Sequence, residues 1–295
     1  MYSRNIIAVT LYKKKMQNQT FYPTIVISDV HLGTEHSKTR ELADFLKTVN
    51  CNTLIMNGDI IDGWNLQKGG KWKKEDTDFF KIIMKMMENH NTKVIYVRGN
   101  HDDFIDHIAP FSFANISIVK DYVHEKNGKR YYVVHGDIFD NITSNMVWLA
   151  KLGDVGYSFL LWINRFYNIY RTKKGLPYFS LSQSIKQKVK SAVSYISNYE
   201  KELVTLALTR HANGIICGHI HQPADRMIDG IHYLNSGDWV ESMSALLENE
   251  DGTWKVYMHS DADVKTDTEE LTEIYPSNQK LERVAFSNNI FHHFF

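Results

Sequence analysis

The chain has 295 residues, 43% of them hydrophobic and 23% charged, with 34 Lys plus Arg set against 34 Asp plus Glu. That composition excludes disorder along the whole length, and zero net charge excludes a general nucleic-acid coat, which needs a basic surplus to displace counterions. No run approaches the ~20 apolar residues that span a bilayer, and two cysteines, Cys51 and Cys217, are too few for a disulfide framework and read as buried thiols.

Residues 1–20 read as an N-terminal extension. Their apolar stretch leads into Lys13, Lys14 and Lys15 rather than into the small residues of a cleavage site, so a signal peptide is not expected, and Met16 is an alternative start. The body is expected over 21–262, with a C-terminal tail over 263–295. Within the body, Thr24–Ser28, Thr53–Asn57, Val94–Arg98, Tyr131–Val134 and Gly214–Cys217 are short branched or aromatic runs of the kind that form buried strands. Helical spacing marks Arg40–Val49, with Leu42, Phe45, Leu46 and Val49 on one stripe, and Asp78–Glu88. Ile231–Asn235, Ser244–Leu247 and Trp254–Tyr257 follow one another without a helix, which predicts a meander and hence two sheets. The class is α/β.

A polar cluster follows each of the first five strands. They are Asp29-Val-His31, then Gly58-Asp59 with Asp62, then Gly99-Asn100-His101-Asp102, then His135-Gly-Asp137, and last Gly218-His219-Ile-His221. Ligands of open α/β sheets sit beyond the carboxyl ends of the strands, so the five clusters are expected to converge there. Carboxylate, imidazole and amide oxygen without thiolate suit hard-to-borderline divalent metals. The D-x-H and H-x-H spacings put both members on one side of an extended segment. Taken singly, each motif has a plainer reading: Asp29 and Asp59 could cap the helices that follow, and a lone histidine is usually structural. Asp62 and Asp137 read as acceptors supporting the ligands, or as turn residues.

The series D-x-H, G-D-x-x-D, G-N-H-D, H-G-D and G-H-x-H resembles the calcineurin-like metallophosphoesterase superfamily over residues 24 to about 260. The resemblance implies a four-layer α/β/β/α sandwich holding two divalent metal ions, commonly Mn or Fe/Zn. The first metal would take Asp29, His31 and His221, the second Asn100, His135 and His219, with Asp59 bridging both. His101 would lie near the phosphoryl oxygens, stabilising charge or protonating the leaving group, with Asp102 orienting its imidazole.

Between His135 and Gly218 lies an insertion, with a helical cap expected over 141–205. Trp148, Leu152, Val155, Phe159, Ile163, Phe166 and Tyr170 recur at steps of three and four, and residues 164–190 hold seven basic side chains and no acidic one. The cap reads either as a lid with solvated lysines or as a surface taking acyl chains on one side and anionic lipid on the other. Nucleic acid is not the expected partner. With Gly230-Ile-His-Tyr-Leu-Asn-Ser-Gly-Asp-Trp-Val-Glu241, this insertion resembles the UDP-2,3-diacylglucosamine pyrophosphatase family of lipid A synthesis. That resemblance implies release of UMP and a lipid monophosphate, usually with Mn, by a cytoplasmic protein peripherally bound at the inner face of the bacterial inner membrane. One position departs: the best-defined members carry arginine where this chain has His101.

Overall fold

Branched and aromatic runs become strands: β1 (Thr20–Ile27), β2 (Val49–Asn57), β3 (Lys93–Val97), β4 (Phe111–Phe113), β5 (Ile116–Val119), β6 (Tyr122–Lys126), β7 (Lys129–Val133), β8 (Gly214–Cys217), β9 (Ala224–Ile228), β10 (Ile231–Asn235), β11 (Ser244–Glu248) and β12 (Trp254–Met258). Among the described residues the helices are α1 (Thr39–Thr48), α2 (Gly63–Gln67), α3 (Lys74–His90) and the long α4 (Leu181–Thr209), with a 3-10 turn at Asp103–His107. The structure, a computed structural model, describes residues 19–138, 171, 173–175 and 181–259, with side chains for all of these but 181–194. Most of the expected cap, including its aromatic stripe and Arg165, the N-terminal extension up to residue 18 and the C-terminal tail lie outside the described residues.

Two sheets form. The larger has the order β12-β11-β1-β2-β3-β5-β4 and the smaller β6-β7-β8-β10-β9. Side-chain alternation along each strand explains the layering, because successive residues point to opposite faces. In β1, Ile25 and Ile27 face a helix layer while Val26 faces the other sheet. In β2 the split is Leu54 and Met56 against Ile55, and in β3 it is Val94 and Tyr96 against Ile95 and Val97. The helix layer over this sheet is supplied by Leu42, Phe45 and Leu46 of α1 and Phe79, Ile83 and Met86 of α3. The smaller sheet repeats the pattern: Tyr132, Ile215 and Tyr233 meet Tyr199, Leu203 and Ala207 of α4, while Tyr131, Val133, Ile216 and Leu234 turn to the large sheet. Three separate apolar clusters therefore fill three interfaces, giving the helix, sheet, sheet, helix order of the expected sandwich. Each fully buried Ile or Leu contributes about 1.5–3 kcal/mol, so both sheets need cover on both faces.

The strands after Ile231 do not form a single meander. β10 pairs parallel with β8 in the small sheet, whereas β11 pairs antiparallel with β1 in the large one. Residues 236–243 carry the chain between sheets in a turn organised by Asp238, whose carboxylate accepts from Val240 N (2.8 Å) and Ser242 Oγ (2.8 Å). Among the described residues no helix is long and apolar enough to cross a membrane.

Candidate metal centre

β1, β2 and β3 run parallel, as do β7 and β8, so each sheet presents its carboxyl ends together. The segments leaving those ends bend sharply. Asp29 (φ 51°), His31 (52°), Asp59 (52°), His219 (69°) and His221 (54°) all adopt the left-handed conformation, which non-glycine residues avoid. Such backbone costs on the order of 1–3 kcal/mol per residue and persists only where neighbours enforce it. Here backbone bonds do so: Asp29 N donates to Gly58 O (3.0 Å), His31 N to Asp59 O (2.9 Å) and Trp239 N to Asp29 O (3.0 Å). The segment 236–239 thus lies behind Asp29, where Ser28 Oγ also meets Ser236 Oγ at 2.7 Å.

Potential donor atoms of Asp29, His31 and His221 lie within 4.8 Å of one another, and so do those of Asp59, His135 and His219. A third such group, His31, Asp59 and His101, shares members with both. His221 Nε2 is 3.3 Å from Asp29 Oδ1, His135 Nε2 is 3.3 Å from Asp59 Oδ2, and His31 Nε2 is 3.9 Å from Asp59 Oδ2. The residues on either side of Asn100 close on the same carboxylate. On one side His101 N donates to Asp59 Oδ1 (2.8 Å), and on the other a Cβ on Gly99 would collide with that oxygen. Buried Asp29 Oδ1, Asn100 Oδ1 and His135 Nε2 make no hydrogen bond. Buried polar atoms left this way are costly unless something else satisfies them. His135 Nδ1 lies 2.9 Å from Asn57 O, which fixes the tautomer that turns the Nε2 lone pair inward. Oxygen and imidazole donors of this kind fit divalent cations.

Residues 22–223 match the calcineurin-like phosphoesterase family. The chain belongs to that family. It is a metal-dependent phosphohydrolase, and its clustered His and Asp side chains fit the divalent metals that such enzymes use. No curated protein matches it. Among solved structures it is similar to a single mutant of Vps29 from Entamoeba histolytica (13% identity, 79% of this chain and 96% of that one, TM-score 0.37). It is also similar to an archaeal phosphodiesterase (12%, 80% and 98%, 0.36) and to Yfce, a phosphoesterase from E. coli (14%, 80% and 98%, 0.37).

The electrostatics of the phosphoesterase centre are those of buried acids held charged by imidazoles. Burial would raise the Asp29 carboxyl, but His135, His221 and His31 outweigh it and hold it well below the usual carboxylate range. Burial likewise opposes ionisation of Asp59, yet His135 brings it down to about 2. The converse holds for His135, where burial disfavours the charged ring and Asp59 with Asp29 raises it well above its ordinary value. A bound cation would take over the role of those protons, as metal binding to such ligands does.

Capping does not explain Asp29 or Asp59. α1 begins at Thr39, ten positions after Asp29, and the residue capping α2 is Asp62, whose Oδ1 accepts from Asn65 N at 2.7 Å. The expected pairing of His101 with Asp102 is also corrected. Asp102 turns into the core, accepting from Ile60 N (3.0 Å), Ile61 N (2.8 Å) and Tyr96 Oη (2.9 Å). Burial and the charge of Asp59 push it up to about 7. The carboxylate facing His101 belongs to Asp62. Asp137, for its part, accepts from the Arg98 guanidinium. Two neighbours of the site were not legible as such: Ser28, whose Oγ donates to Asp29 Oδ2, and Trp64, which lies against His101. Trp64 follows Asp62 and Gly63 directly, and that adjacency to a site motif was the available signal.

Proposed function

We propose that this phosphohydrolase cleaves the pyrophosphate of UDP-2,3-diacylglucosamine, or of a closely similar lipid-linked nucleotide, to UMP and a lipid monophosphate. The observation that carries the hydrolytic part is the convergence of donors from two sheets, with buried Asp29 Oδ1, Asn100 Oδ1 and His135 Nε2 left without hydrogen bonds. In this reading Asp29, His31 and His221 hold one cation, Asn100, His135 and His219 hold a second, and Asp59 serves both. Mn is the proposed metal, with Fe or Zn as alternatives. A pair of such cations polarises a phosphoryl group and acidifies water at neutral pH. The chain's own part is to hold those ligands in a strained, buried frame and to bring His101 to the substrate. His101 Nδ1 is 3.1 Å from Asp62 Oδ1, which steadies the ring, and its imidazole is the group proposed to protonate the departing oxygen.

Support for the lipid comes from the insertion, its one-sided basic charge between 164 and 190 and the Gly230–Glu241 segment. A protein of this kind would work in the cytoplasm, peripherally bound to an anionic inner-membrane surface through that basic side. A second reading, hydrolysis of another phospholipid head group or a soluble phosphoester, is favoured by His101 standing where the best-defined lipid A enzymes have arginine. The deciding experiment compares Mn-supplemented hydrolysis of UDP-2,3-diacylglucosamine, its deacylated counterpart and a generic phosphodiester. Release of UMP from the acylated substrate alone is expected. Cleavage of the generic ester only would discard the lipid A role and keep the second reading.

A further inference from the structure

Three rings follow one another from a half-exposed indole to the candidate metal ligands. Trp64 lies 4.4 Å from His101, centroid to centroid, and His101 lies 4.7 Å from His31 edge-on at 88°. Trp64 is held there by its backbone. Gly63 N donates to Ile61 O (3.0 Å) and to His101 O (3.1 Å), and a Cβ on Gly63 would meet both the Phe104 ring (2.8 Å) and His101 O (2.9 Å). Only glycine lets the 62–64 and 101–104 segments close on each other so tightly. The polar edge of the indole is satisfied, since Nε1 donates to Asp103 Oδ2 at 3.3 Å. Yet Trp64 remains 40% exposed, and Phe104, whose ring packs on Gly63, 43%. Two large rings are thus left open to solvent, and Trp64 is set against the imidazole that borders the metal ligands.

A phosphoryl group at those ligands would carry its substituent out past His101, over Trp64 and Phe104. Aromatic faces hold flat π systems by stacking, and do so for any base. We propose that Trp64, with Phe104 beside it, is the platform that receives the base of a nucleotidyl substrate, and is therefore a specificity-determining residue. This rests on the phosphoesterase reading above and narrows its substrate class to nucleotidyl phosphates.

Calorimetry on the full-length, Mn-loaded protein tests it with inorganic phosphate, ribose 5-phosphate, UMP and octyl phosphate as probes. UMP should bind roughly 5- to 150-fold more tightly than ribose 5-phosphate, the range that stacking of one base supplies. That gap should collapse in Trp64→Ala and survive in Trp64→Tyr. It should be unchanged in Trp72→Ala, a comparably exposed tryptophan whose contacts are Phe80 and Thr77. If Trp64→Ala does not fold, Phe104→Ala makes the same comparison. No gap in the wild type, a gap that persists in the alanine variant, or a gain by octyl phosphate instead of UMP would each overturn the platform. Phosphate binding without the gap rejects the platform alone, whereas failure to bind phosphate at all brings down the phosphoesterase reading with it.

Discussion

Asp62 Oδ1 stands 3.1 Å from Nδ1 of His101, while its other oxygen stands 3.4 Å from Nδ1 of His31. One carboxylate thus steadies two imidazoles and also caps α2 through Asn65 N. Burial would raise this group, but His31, the Asn65 amide and His101 together hold it well below the usual carboxylate range. Asp62→Ala should therefore lower turnover by about 10- to 100-fold, as loss of a residue supporting ligands does, while leaving most of the fold intact. Asp102→Ala should behave in the opposite sense. Three donors would lose their buried acceptor, at about 1–3 kcal/mol each, so its melting temperature should drop before any specific kinetic defect is seen. Parallel thermal melts and steady-state rates on the two variants decide this, and equal thermal losses in both would refute the division of roles.

Asp59 is shared by two of the donor groups: His31 and His135 approach Oδ2, and His101 N donates to Oδ1. Asp59→Ala is expected to reduce turnover by at least the 10²- to 10³-fold that removal of one strong electrostatic stabiliser produces. Circular dichroism should still show the wild-type fold, and metal content should fall. An active Asp59→Ala enzyme would contradict the proposed two-cation arrangement.

Divalent metal should stabilise the protein. A ligand at a hundred times its Kd adds about 2.7 kcal/mol, which for a domain of this size is a rise of about 5–10 °C in Tm. Titrating Mn into chelator-treated protein and following the melt checks this. A melt indifferent to metal would mean that the buried oxygens of Asp29 and Asn100 are satisfied in some other way.

Gly58 (φ 80°) has no room for a side chain, because its Cβ would enter the His135 ring. Gly58→Ala should cost about 1–3 kcal/mol through overpacking, beyond the backbone penalty, and should displace His135. Loss of one of two metals by elemental analysis, with the fold retained, is the expected signature.

Acid should loosen the contact between the sheets at Glu248. Burial alone would raise this carboxyl, but His124 and Thr24, with Lys126 behind them, bring it below its ordinary value. A depressed carboxylate contributes stability that is complete above its unfolded value and is lost as pH falls through the folded one. Melting temperature should thus decline as pH drops below the ordinary glutamate value of 4.5, and Glu248→Gln should flatten that decline. An unchanged acid slope in the variant would assign the loss to other groups.

The sandwich and most of the centre were legible because each ligand motif directly follows a strand, and strand composition is readable from neighbours alone. What was hidden depends on contacts between distant segments. Nothing local reveals that β10 and β11, nine residues apart, belong to different sheets. Adjacency in sequence favours His101 with Asp102, yet the turn after β3 sends successive side chains to opposite sides, leaving Asp62 from another loop to face the ring. The left-handed backbone at Asp29 and His31 is uncommon outside glycine, and no local pattern marks it, so it too appears only in the fold.

The three apolar strips that separate the layers carry a further consequence. Asp29, Asp59 and Asn100 ride on one sheet, whereas His135, His219 and His221 ride on the other, and the spacing between them is set by Val26, Ile55, Ile95, Val133 and Ile216 packed in between. The centre is therefore a clasp as well as a reaction site. A methyl group added to or removed from that hidden seam would alter its span without touching a single ligand, and a loaded centre would in turn fasten two slabs across a mostly apolar seam.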